Sequence, residues 1–241
     1  MKILPLLIIF LLAHFCVYAQ AAELYNKGDY GGAAAKYEEL LETAPDGREN
    51  PYLYYNLANS YFKAGEPDKA VINYYRAFNI LPRDKDIKRN LAFALNAAGQ
   101  RLAPEGVPPA AFDIYYWFSM GELKGLLWFF AWFFALALCA YAFLPRKKWF
   151  LKILFLSGAC IVLCGLWYFA RLRDAGLRRA VATAPRAEVR SGPGENFPVS
   201  LSLPRAYLVI ITDTKGDWAE VEAPAAQNAS GWVLKTQIEE I

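Results

Sequence analysis

Residues 51–82 decide the fold of the N-terminal region, and they read PYLYYNLANSYFKAGEPDKAVINYYRAFNILP. Apolar and small side chains recur there at helical spacing in two successive segments, which indicates two amphipathic helices. The two helical faces consist of Leu57, Ala58 and Tyr61 in the first segment and Ala70, Tyr74 and Ala77 in the second. Because Gly65 interrupts the pattern and Pro82 ends it, the stretch predicts a helical hairpin whose helices approach through Ala58 and Ala70.

The same pattern recurs along the chain with a period of about 34 residues. Asn56-Leu57-Ala58 returns as Asn90-Leu91-Ala92, and a last unit ends after one helix, 85–98, as capping units of repeat stacks do. An earlier unit repeats the second half of the pattern at Gly28, Tyr30, Ala33, Tyr37, Leu40 and Pro45. The pattern resembles the tetratricopeptide repeat (TPR), so residues 20–104 are predicted to form an all-α region of TPR helical hairpins.

The resemblance to TPR proteins implies a concave groove that binds peptides or partner proteins. Repeat positions place six residues on the groove side, namely Tyr52, Tyr55, Asn56, Asn59, Asn90 and Phe93. The amide groups of Asn56 and Asn90 are suited to hold a peptide backbone, because each carries a donor and an acceptor. The alternative is that the tyrosines pack between repeats while the asparagines are solvated. Asp86 stands near a position that would need Lys to bind an acidic peptide terminus, so such a ligand is not expected.

Composition and charge exclude several functional classes. The 241 residues carry a net charge of +3, which is too small to indicate nucleic-acid binding. The single His and all four Cys lie in apolar stretches, at His14, Cys16, Cys139, Cys160 and Cys164. The segments expected to face water therefore lack the side chains of Cys/His nucleophiles and zinc sites. We predict no catalytic residue, no metal ligand and no cofactor.

The amino terminus has the pattern of a secretory signal peptide over residues 1–19. Lys2 supplies the positive region, residues 3–12 the apolar core, and Val17-Tyr18-Ala19 the small-residue cleavage pattern. The alternative is an uncleaved anchor helix. Pro5 and His14 argue against it, because they interrupt the run before the roughly 20 residues that a span needs.

Two apolar runs predict a transmembrane hairpin. Residues 126–144 contain no charge, and residues 150–170 contain only Lys152 near the start, where its ammonium can reach the interface. Residues 105–125 form an aromatic-rich linker and interfacial segment, in which Ser119 and Glu122 have the spacing of a capping box. Residues 145–149 allow only a turn between the spans. The alternative is a buried helical hairpin in a soluble protein.

The orientation of this hairpin follows from the signal peptide more than from the charges. Basic residues flank both ends of the spans, in the turn and at 171–179, so the positive-inside rule is nearly balanced. Export of the TPR region leaves the turn 145–149 in the cytoplasm and both water-exposed parts in the periplasm. The prediction is a bacterial inner-membrane protein with two spans in contact with membrane lipid.

After a predicted linker over 171–185, the sequence changes to short β-type runs. These runs are 187–190, 207–212, 217–221 and 231–234, separated by Gly, Pro, Asn and Asp turns. The stretch VRSGPGENFP at 189–198, followed by Asp217-Trp218 and Gly231-Trp232-Val233, resembles a bacterial SH3-like (SH3b) domain. Residues 186–241 are therefore predicted to form a small all-β SH3-like barrel. Arg205-Ala206 departs from the family, which commonly has a turn glycine there.

The SH3b resemblance suggests a second candidate site, at Arg190, Trp218 and Trp232. These residues would form a ligand surface for protein or for cell wall. The alternative, which the sequence favours, is that they are core and turn residues of the barrel. In the family no motif residue is catalytic.

The order of these segments resembles the BatE-type proteins of the Bacteroides aerotolerance operon. The features that carry the resemblance are the TPR match, Tyr116-Trp117-Phe118-Ser119 before the first span, and the 190–198 stretch. The resemblance implies an inner-membrane accessory protein whose partners are von Willebrand factor A domain membrane proteins and a MoxR-type ATPase. The leading hypothesis is a non-catalytic scaffold for a periplasmic-face complex in aerotolerance or envelope stress. The alternative is a module whose SH3b domain binds peptidoglycan and whose TPR recruits an enzyme.

Overall fold

The computed structural model describes residues 16–43, 47–104, 106–143, 147–226 and 229–241. Most of the predicted signal peptide, up to residue 15, and part of the predicted turn, residues 145–146, therefore lie outside the described residues. The chain forms two compact units. The first combines the residues up to Ile114 with Arg178–Ile241, and the second is Tyr115–Leu177, inserted between the two parts of the first.

The N-terminal part of the first unit is a stack of helices. They are α1 over 16–26, α2 Tyr30–Thr43, α3 Pro51–Lys63, α4 Pro67–Ile80, α5 Lys85–Ala97 and the short α6 Pro109–Tyr115, whose last residue belongs to the second unit. The Asn50 side chain caps α3 by accepting from the Tyr52 amide, and Asp84 caps α5 in the same way. Gly65 has a φ of +81°, the left-handed conformation that ends α3.

The residues predicted to join the helices of the central repeat are buried as expected. Ala58, Ala70 and Ala77 are fully buried, and Leu57, Tyr61 and Tyr74 are at most 7% exposed. Helix α4 is buried on further sides as well, through Val71, Ile72, Tyr75 and Phe78. A helix that is apolar on several faces must pack against elements on several sides. Here α4 contacts α3, α5 and a β-strand.

The C-terminal part of the first unit is a seven-stranded antiparallel sheet. Its strands are β1 Arg178–Ala182, β2 Arg186–Arg190, β3 Val199–Pro204, β4 Leu208–Lys215, β5 Trp218–Ala223, β6 Ala229–Leu234 and β7 Ile238–Glu240, in the order β3-β2-β6-β5-β4-β1-β7. The predicted antiparallel β-domain is present, but its SH3-like barrel is not closed, because among the described residues β3 pairs with β2 alone and β7 with β1 alone. The ladder between β2 and β6 is also short, with Arg190 opposite Trp232 as its aligned pair.

The predicted linker 171–185 is also wrong in part. Helix α8 of the second unit continues to Ala175, and β1 begins at Arg178. β1 pairs with β4 on one side and with β7 on the other, so that Ala180, Val181 and Ala182 are fully buried. Because β1 begins with two arginines, only its second half is apolar, and the sequence pattern did not predict a strand there.

The helical stack and the sheet, predicted as separate domains, pack together in the first unit. The Gln100 side chain donates to the Leu208 carbonyl at 2.9 Å and accepts from the Leu208 amide at 2.7 Å. Arg205 forms a 2.8 Å ion pair with Asp68, whose side chain is 4% exposed. The Arg179 guanidinium lies 5.6 Å from the centre of the Tyr75 ring. These contacts hold the sheet against the stack.

The second unit is a helical hairpin of α7 Met120–Phe143 and α8 Lys147–Ala175. The predicted capping box is confirmed, because Ser119 and Glu122 exchange backbone-to-side-chain hydrogen bonds at 2.9 and 3.3 Å. This cap starts α7 six residues before the predicted span. Both helices are long and apolar enough to cross a membrane. At the end of the hairpin opposite the turn, Trp167 and Arg171 both donate to the Tyr115 carbonyl.

Candidate protein-binding groove

A groove of about 320 Å³ lies between helices of the stack. Its walls come from α1, α3, α4 and α5. The lining residues are aromatic or carry amide groups, apart from one lysine, and they are Tyr25, Tyr55, Asn59, Phe62, Lys63, Tyr74, Asn90 and Phe93. This composition offers apolar area together with neutral hydrogen-bonding groups.

The floor of the groove is a hydrogen-bonded network of two tyrosines and two asparagines. The Asn90 amide donates to the Tyr55 hydroxyl at 2.9 Å and to Asn59 Oδ1 at 3.1 Å. The Tyr74 hydroxyl donates to the same Asn59 oxygen at 2.6 Å. The network joins α3, α4 and α5, so these side chains are held in place before any ligand arrives.

Burial favours the protonated form of two tyrosines that line the groove, Tyr25 and Tyr74. Burial raises the pKa of Tyr74 well above its ordinary value, with smaller contributions from Tyr55 and Tyr25. Burial also raises the pKa of Tyr25. A neutral phenol can both donate and accept a hydrogen bond, so at neutral pH the floor is polar without carrying charge. Lys63 is the charged member of the lining set.

The structure brings four of the six predicted groove residues together. Asn59 and Asn90 lie in the floor with Tyr55, and Phe93 forms an exposed rim, edge-on to Phe62 at 5.6 Å. The side-chain nitrogen of Asn90 donates to two neighbouring side chains, and the backbone-holding role of this residue stays a prediction.

Tyr52 and Asn56 are outside the lining of the groove. Tyr52 is 51% exposed, and the Asn56 amide donates to the Tyr18 hydroxyl at 3.2 Å. They lie about one turn before Tyr55 and Asn59, and the hydrogen bond to Tyr18 brings Asn56 close to the start of α1. Sequence reasoning missed Tyr25, Phe62, Lys63 and Tyr74. Phe62 could have been found, because it lies seven residues after Tyr55 and so on the same helical face.

A larger cleft of about 810 Å³ lies on another face of α2, α3 and α4. Its lining carries charges of both signs, with Glu38, Glu39, Glu42 and Glu239 facing Arg48, Lys69 and Arg76. The Tyr61 hydroxyl donates to the Glu38 carboxylate. Burial is the main cause that raises the pKa of Tyr61, and this hydrogen bond is the second cause. Lys69 pairs with Glu66 and lies 4.9 Å from the Tyr61 ring centre. Several of its charges are thus engaged within the protein.

The residues of the second predicted site, Arg190, Trp218 and Trp232, are partly buried in the strands of the sheet. Trp218 and Trp232 are partly exposed and alternate with the buried Ala219 and Val233. The aligned neighbours of Trp232 are Arg190 on β2 and Glu220 on β5.

Arg190 supports the loop that carries the SH3b resemblance. Its Nη1 donates to the carbonyls of Glu195 and Phe197 at 3.0 and 2.8 Å, and its Nη2 pairs with Glu188 at 2.6 Å. A Cβ on Gly192 would lie 2.6 Å from the Phe197 ring, so a larger residue there would displace that ring.

No group of three or more His, Cys, Asp or Glu side chains that could hold a metal ion occurs among the described residues.

Comparison with known proteins places the match in the helical stack. Residues 18–72 match the family model of the tetratricopeptide repeat. The chain is 28% identical over 108 residues to the photosystem I assembly protein Ycf3 of Cyanophora paradoxa, covering 43% of this chain and 62% of that protein. It is 26% identical over 92 residues to Ycf3 of Synechococcus sp. (strain WH7803), covering 38% and 53%. The chain thus spans less than two thirds of these relatives.

Two solved structures are similar at low identity. The Sgt2 TPR domain from Aspergillus fumigatus has a TM-score of 0.31 and 15% identity, with coverage of 68% of this chain and 81% of that domain. Yeast Tom70 has a TM-score of 0.33 and 16% identity, with coverage of 69% and 26%. The predicted TPR repeats are confirmed by the family match, and they indicate an adaptor role in protein–protein interaction.

Proposed function

We propose that this protein is a non-catalytic, membrane-anchored adaptor that binds a segment of a partner protein in the TPR groove. The observation that carries the proposal is the hydrogen-bonded Tyr55–Asn90–Asn59–Tyr74 floor inside the repeats. Side chains already held in place lose little entropy when a ligand binds, so this floor favours binding.

The groove is suited to a partner segment with a large apolar side chain. Tyr55, Phe62 and Phe93 supply aromatic area, and aromatic residues dominate the energy of many protein interfaces. The neutral amides and phenols can bind the backbone of such a segment. Lys63 at the edge favours a neutral or mildly acidic segment over a basic one.

The hairpin of α7 and α8 supplies the membrane anchor in this proposal. Only 6% of the apolar window of each helix is buried, whereas a hairpin in the core of a soluble protein would be mostly buried. Large side chains such as Trp132 and Leu163 are about two-thirds exposed, which in water would leave a large apolar surface. A bilayer would cover them.

Both parts of the first unit belong to the same compartment in this proposal. The segments before and after the hairpin pack into one unit through Gln100 and Leu208, so the chain must leave and return on one side. The predicted signal peptide places that side in the periplasm of a bacterial inner membrane. Topology reporters inserted after Gly106 and after Ile241 should both report an external location, and opposite signals would contradict the hairpin.

The resemblance to BatE-type proteins suggests the partners. Membrane-anchored von Willebrand factor A domain proteins and a MoxR-type ATPase system are the proposed neighbours, in an aerotolerance or envelope-stress complex. Wall material is the ligand only in the second candidate function.

A variant pair tests the groove. Tyr55→Ala combined with Asn90→Ala removes the floor network, and partner capture from detergent-solubilised membranes should fall at least tenfold. Tyr52→Ala is the matched control, because Tyr52 is an exposed tyrosine of the same helix outside the groove. Helical content measured by circular dichroism shows whether the double variant folds. A folded double variant that keeps all its partners would overturn the proposal.

Peptidoglycan binding by the sheet is the second candidate function. The observation that favours it is the outward position of Trp218 and Trp232, with Arg190 and Glu220 beside Trp232. Aromatic and polar side chains that share one partly exposed face are suited to a sugar-containing ligand. Trp232→Ala should reduce cosedimentation of the protein with purified peptidoglycan, while Trp149→Ala in the hairpin should not. If wild-type protein does not cosediment, this candidate is wrong.

A further inference from the structure

Helix α1 continues across the predicted end of the signal peptide. The helix spans 16–26, and the predicted cleavage site lies between Ala19 and Gln20. The part of the helix before that site, 16–19, is exposed or partly exposed, whereas Ala21 just after the site is fully buried. Cleavage would therefore remove one turn at the surface of α1 and leave the part of the helix that packs in the stack.

Tyr18 is the residue of that turn that contacts the neighbouring helices. Its ring lies edge-on to Tyr37 of α2, with ring centroids 6.0 Å apart and planes at 75°. Its hydroxyl accepts a hydrogen bond of 3.2 Å from the Asn56 amide of α3. With Tyr18 in place, Tyr37 is only 4% exposed. One side chain of the predicted signal peptide thus occupies a position beside α2 and α3.

This position continues the protein-binding groove along the stack. Tyr18 lies seven residues before Tyr25, which lines the groove, so both face the same side of α1. Asn56 lies three residues before Asn59 of the groove floor, on the same side of α3. Burial raises the pKa of Tyr37 to about 12, with smaller contributions from Tyr18 and Tyr25. The three phenols are therefore close together.

We propose that removal of the signal peptide opens a subsite, formed by Tyr37 and Asn56, that binds a tyrosine side chain of the partner segment. The proposal rests on the proposed function, in which a partner segment lies in the groove, and on cleavage at the predicted site. In the uncleaved chain, Tyr18 shows the geometry of the ligand, with its ring edge-on to Tyr37 and its oxygen at the Asn56 amide. Cleavage takes both contacts away, and a tyrosine of the partner restores them.

The chemistry of the subsite favours tyrosine over other side chains. Edge-to-face contact with Tyr37 needs an aromatic ring, and the Asn56 N–H needs an acceptor. Phenylalanine supplies the ring without the acceptor. A carboxylate supplies the acceptor without the ring, and an ammonium group has no acceptor at all. A tyrosine supplies both in the arrangement that Tyr18 already adopts.

The subsite also makes partner binding depend on processing of the chain. While residues 16–19 remain part of α1, Tyr18 is tethered beside Tyr37 and Asn56, and a partner tyrosine must displace it. A tethered group acts at an effective concentration of about millimolar or more, so a free tyrosine ligand competes poorly with it. After cleavage this competitor is gone.

Peptide binding to two forms of the full chain tests the subsite. The processed form begins at Gln20, and the uncleaved form carries Ala19→Leu, which replaces the small residue of the cleavage pattern. Both forms are purified in detergent, and intact mass spectrometry verifies their amino termini. The probe is acetyl-Val-Tyr-Ala amide, which has the sequence of residues 17–19, and acetyl-Val-Phe-Ala amide is its matched control. Saturation-transfer NMR measures the dissociation constant of each peptide.

The processed form should bind the tyrosine peptide about two- to tenfold more tightly than the phenylalanine peptide, the range of one net hydrogen bond. Asn56→Ala should remove this preference, whereas Tyr52→Ala, at an exposed tyrosine of the same helix, should leave it unchanged. The uncleaved form should bind neither peptide at concentrations that saturate the processed form. The variant Tyr55→Ala with Asn90→Ala should still bind the tyrosine peptide, because Tyr37 and Asn56 lie outside the lining of the groove.

Four results would overturn the inference. A natural chain whose intact mass retains residues 1–19 would mean that Tyr18 always fills the subsite. Equal binding by the processed and uncleaved forms would place the peptide elsewhere on the protein. Equal affinity for the two peptides would mean that Asn56 does not recognise the hydroxyl, and no binding by the processed form would mean that the subsite does not exist. The proposed function fails separately, if the folded groove double variant keeps all its partners.

Discussion

The packing of the sheet on the TPR helices makes a strong prediction for Gln100. This side chain is 5% exposed and forms two hydrogen bonds with the backbone of Leu208, at the start of β4. Gln100→Ala removes both bonds and leaves the Leu208 N–H and C=O without these partners. A net hydrogen bond contributes about 1 kcal/mol, and an orphaned buried polar group costs about 1–3 kcal/mol. We therefore expect a loss of about 2–4 kcal/mol.

Hydrogen exchange on the full chain in detergent micelles measures this loss. If the stack and the sheet open together, exchange should accelerate about 30- to 1,000-fold in peptides from α4 and from β4 alike. Asn96→Ala is the matched control, because Asn96 is exposed on α5 four residues before Gln100. Exposed substitutions of this kind usually change stability by less than about 0.5 kcal/mol.

Two results would refute the reasoning. An effect of Gln100→Ala no larger than that of Asn96→Ala would mean that the two hydrogen bonds do not hold the sheet. Faster exchange confined to the helices, with β4 unchanged, would mean that the stack and the sheet open independently.

Three further predictions concern the same unit. Arg205→Gln should lower the free energy of unfolding by about 2 kcal/mol, because Asp68 would stay buried without its cation. The loss is not larger because Arg205 is 37% exposed, which weakens the ion pair. Chemical denaturation measures this free energy. Gly231→Ala should destabilise by about 1–3 kcal/mol in the same assay, since its Cβ would lie 2.6 Å from the Arg190 carbonyl oxygen, whereas exposed Ser230→Ala should not. Burial raises the pKa of Tyr37 to about 12. The stability that the protonated Tyr37 side chain contributes should therefore be complete below pH 10.0 and should be lost as the pH rises to about 12. Phenolate absorbance and circular dichroism, recorded together, should show unfolding in that pH window.

The sequence predicted the helical part of the fold well because its determinants are local. The spacing of Leu57, Ala58 and Tyr61 and the break at Gly65 depend on neighbours within one or two turns, and helices form where they indicate. The same local logic found Tyr55 and Asn59 in the groove. The sequence analysis missed Tyr25, because this residue belongs to α1, and the position of α1 in the groove depends on packing between repeats.

The parts that the sequence did not predict depend on contacts between distant residues. β1 is a strand because β4 and β7 hydrogen-bond to it from both sides, and both are more than 25 residues away. Ala206 shows the same limit, since it adopts a φ of +69°, in the left-handed region that favours glycine. Its methyl group is buried, at 1% exposure, so packing offsets the backbone strain of roughly 1–2 kcal/mol.

Helix α4 connects the groove to the sheet and so bears on the choice between the two candidate functions. One side of α4 places Tyr74 in the floor of the groove, while Tyr75 lies beneath Arg179 of the sheet and Asp68 pairs with Arg205. Since Tyr74 and Tyr75 are adjacent, any shift of the sheet would move the floor of the groove. The sheet therefore supports the groove, whatever its outer face binds. This arrangement is consistent with the adaptor function, because contacts from the sheet reach the helix that carries Tyr74 of the groove.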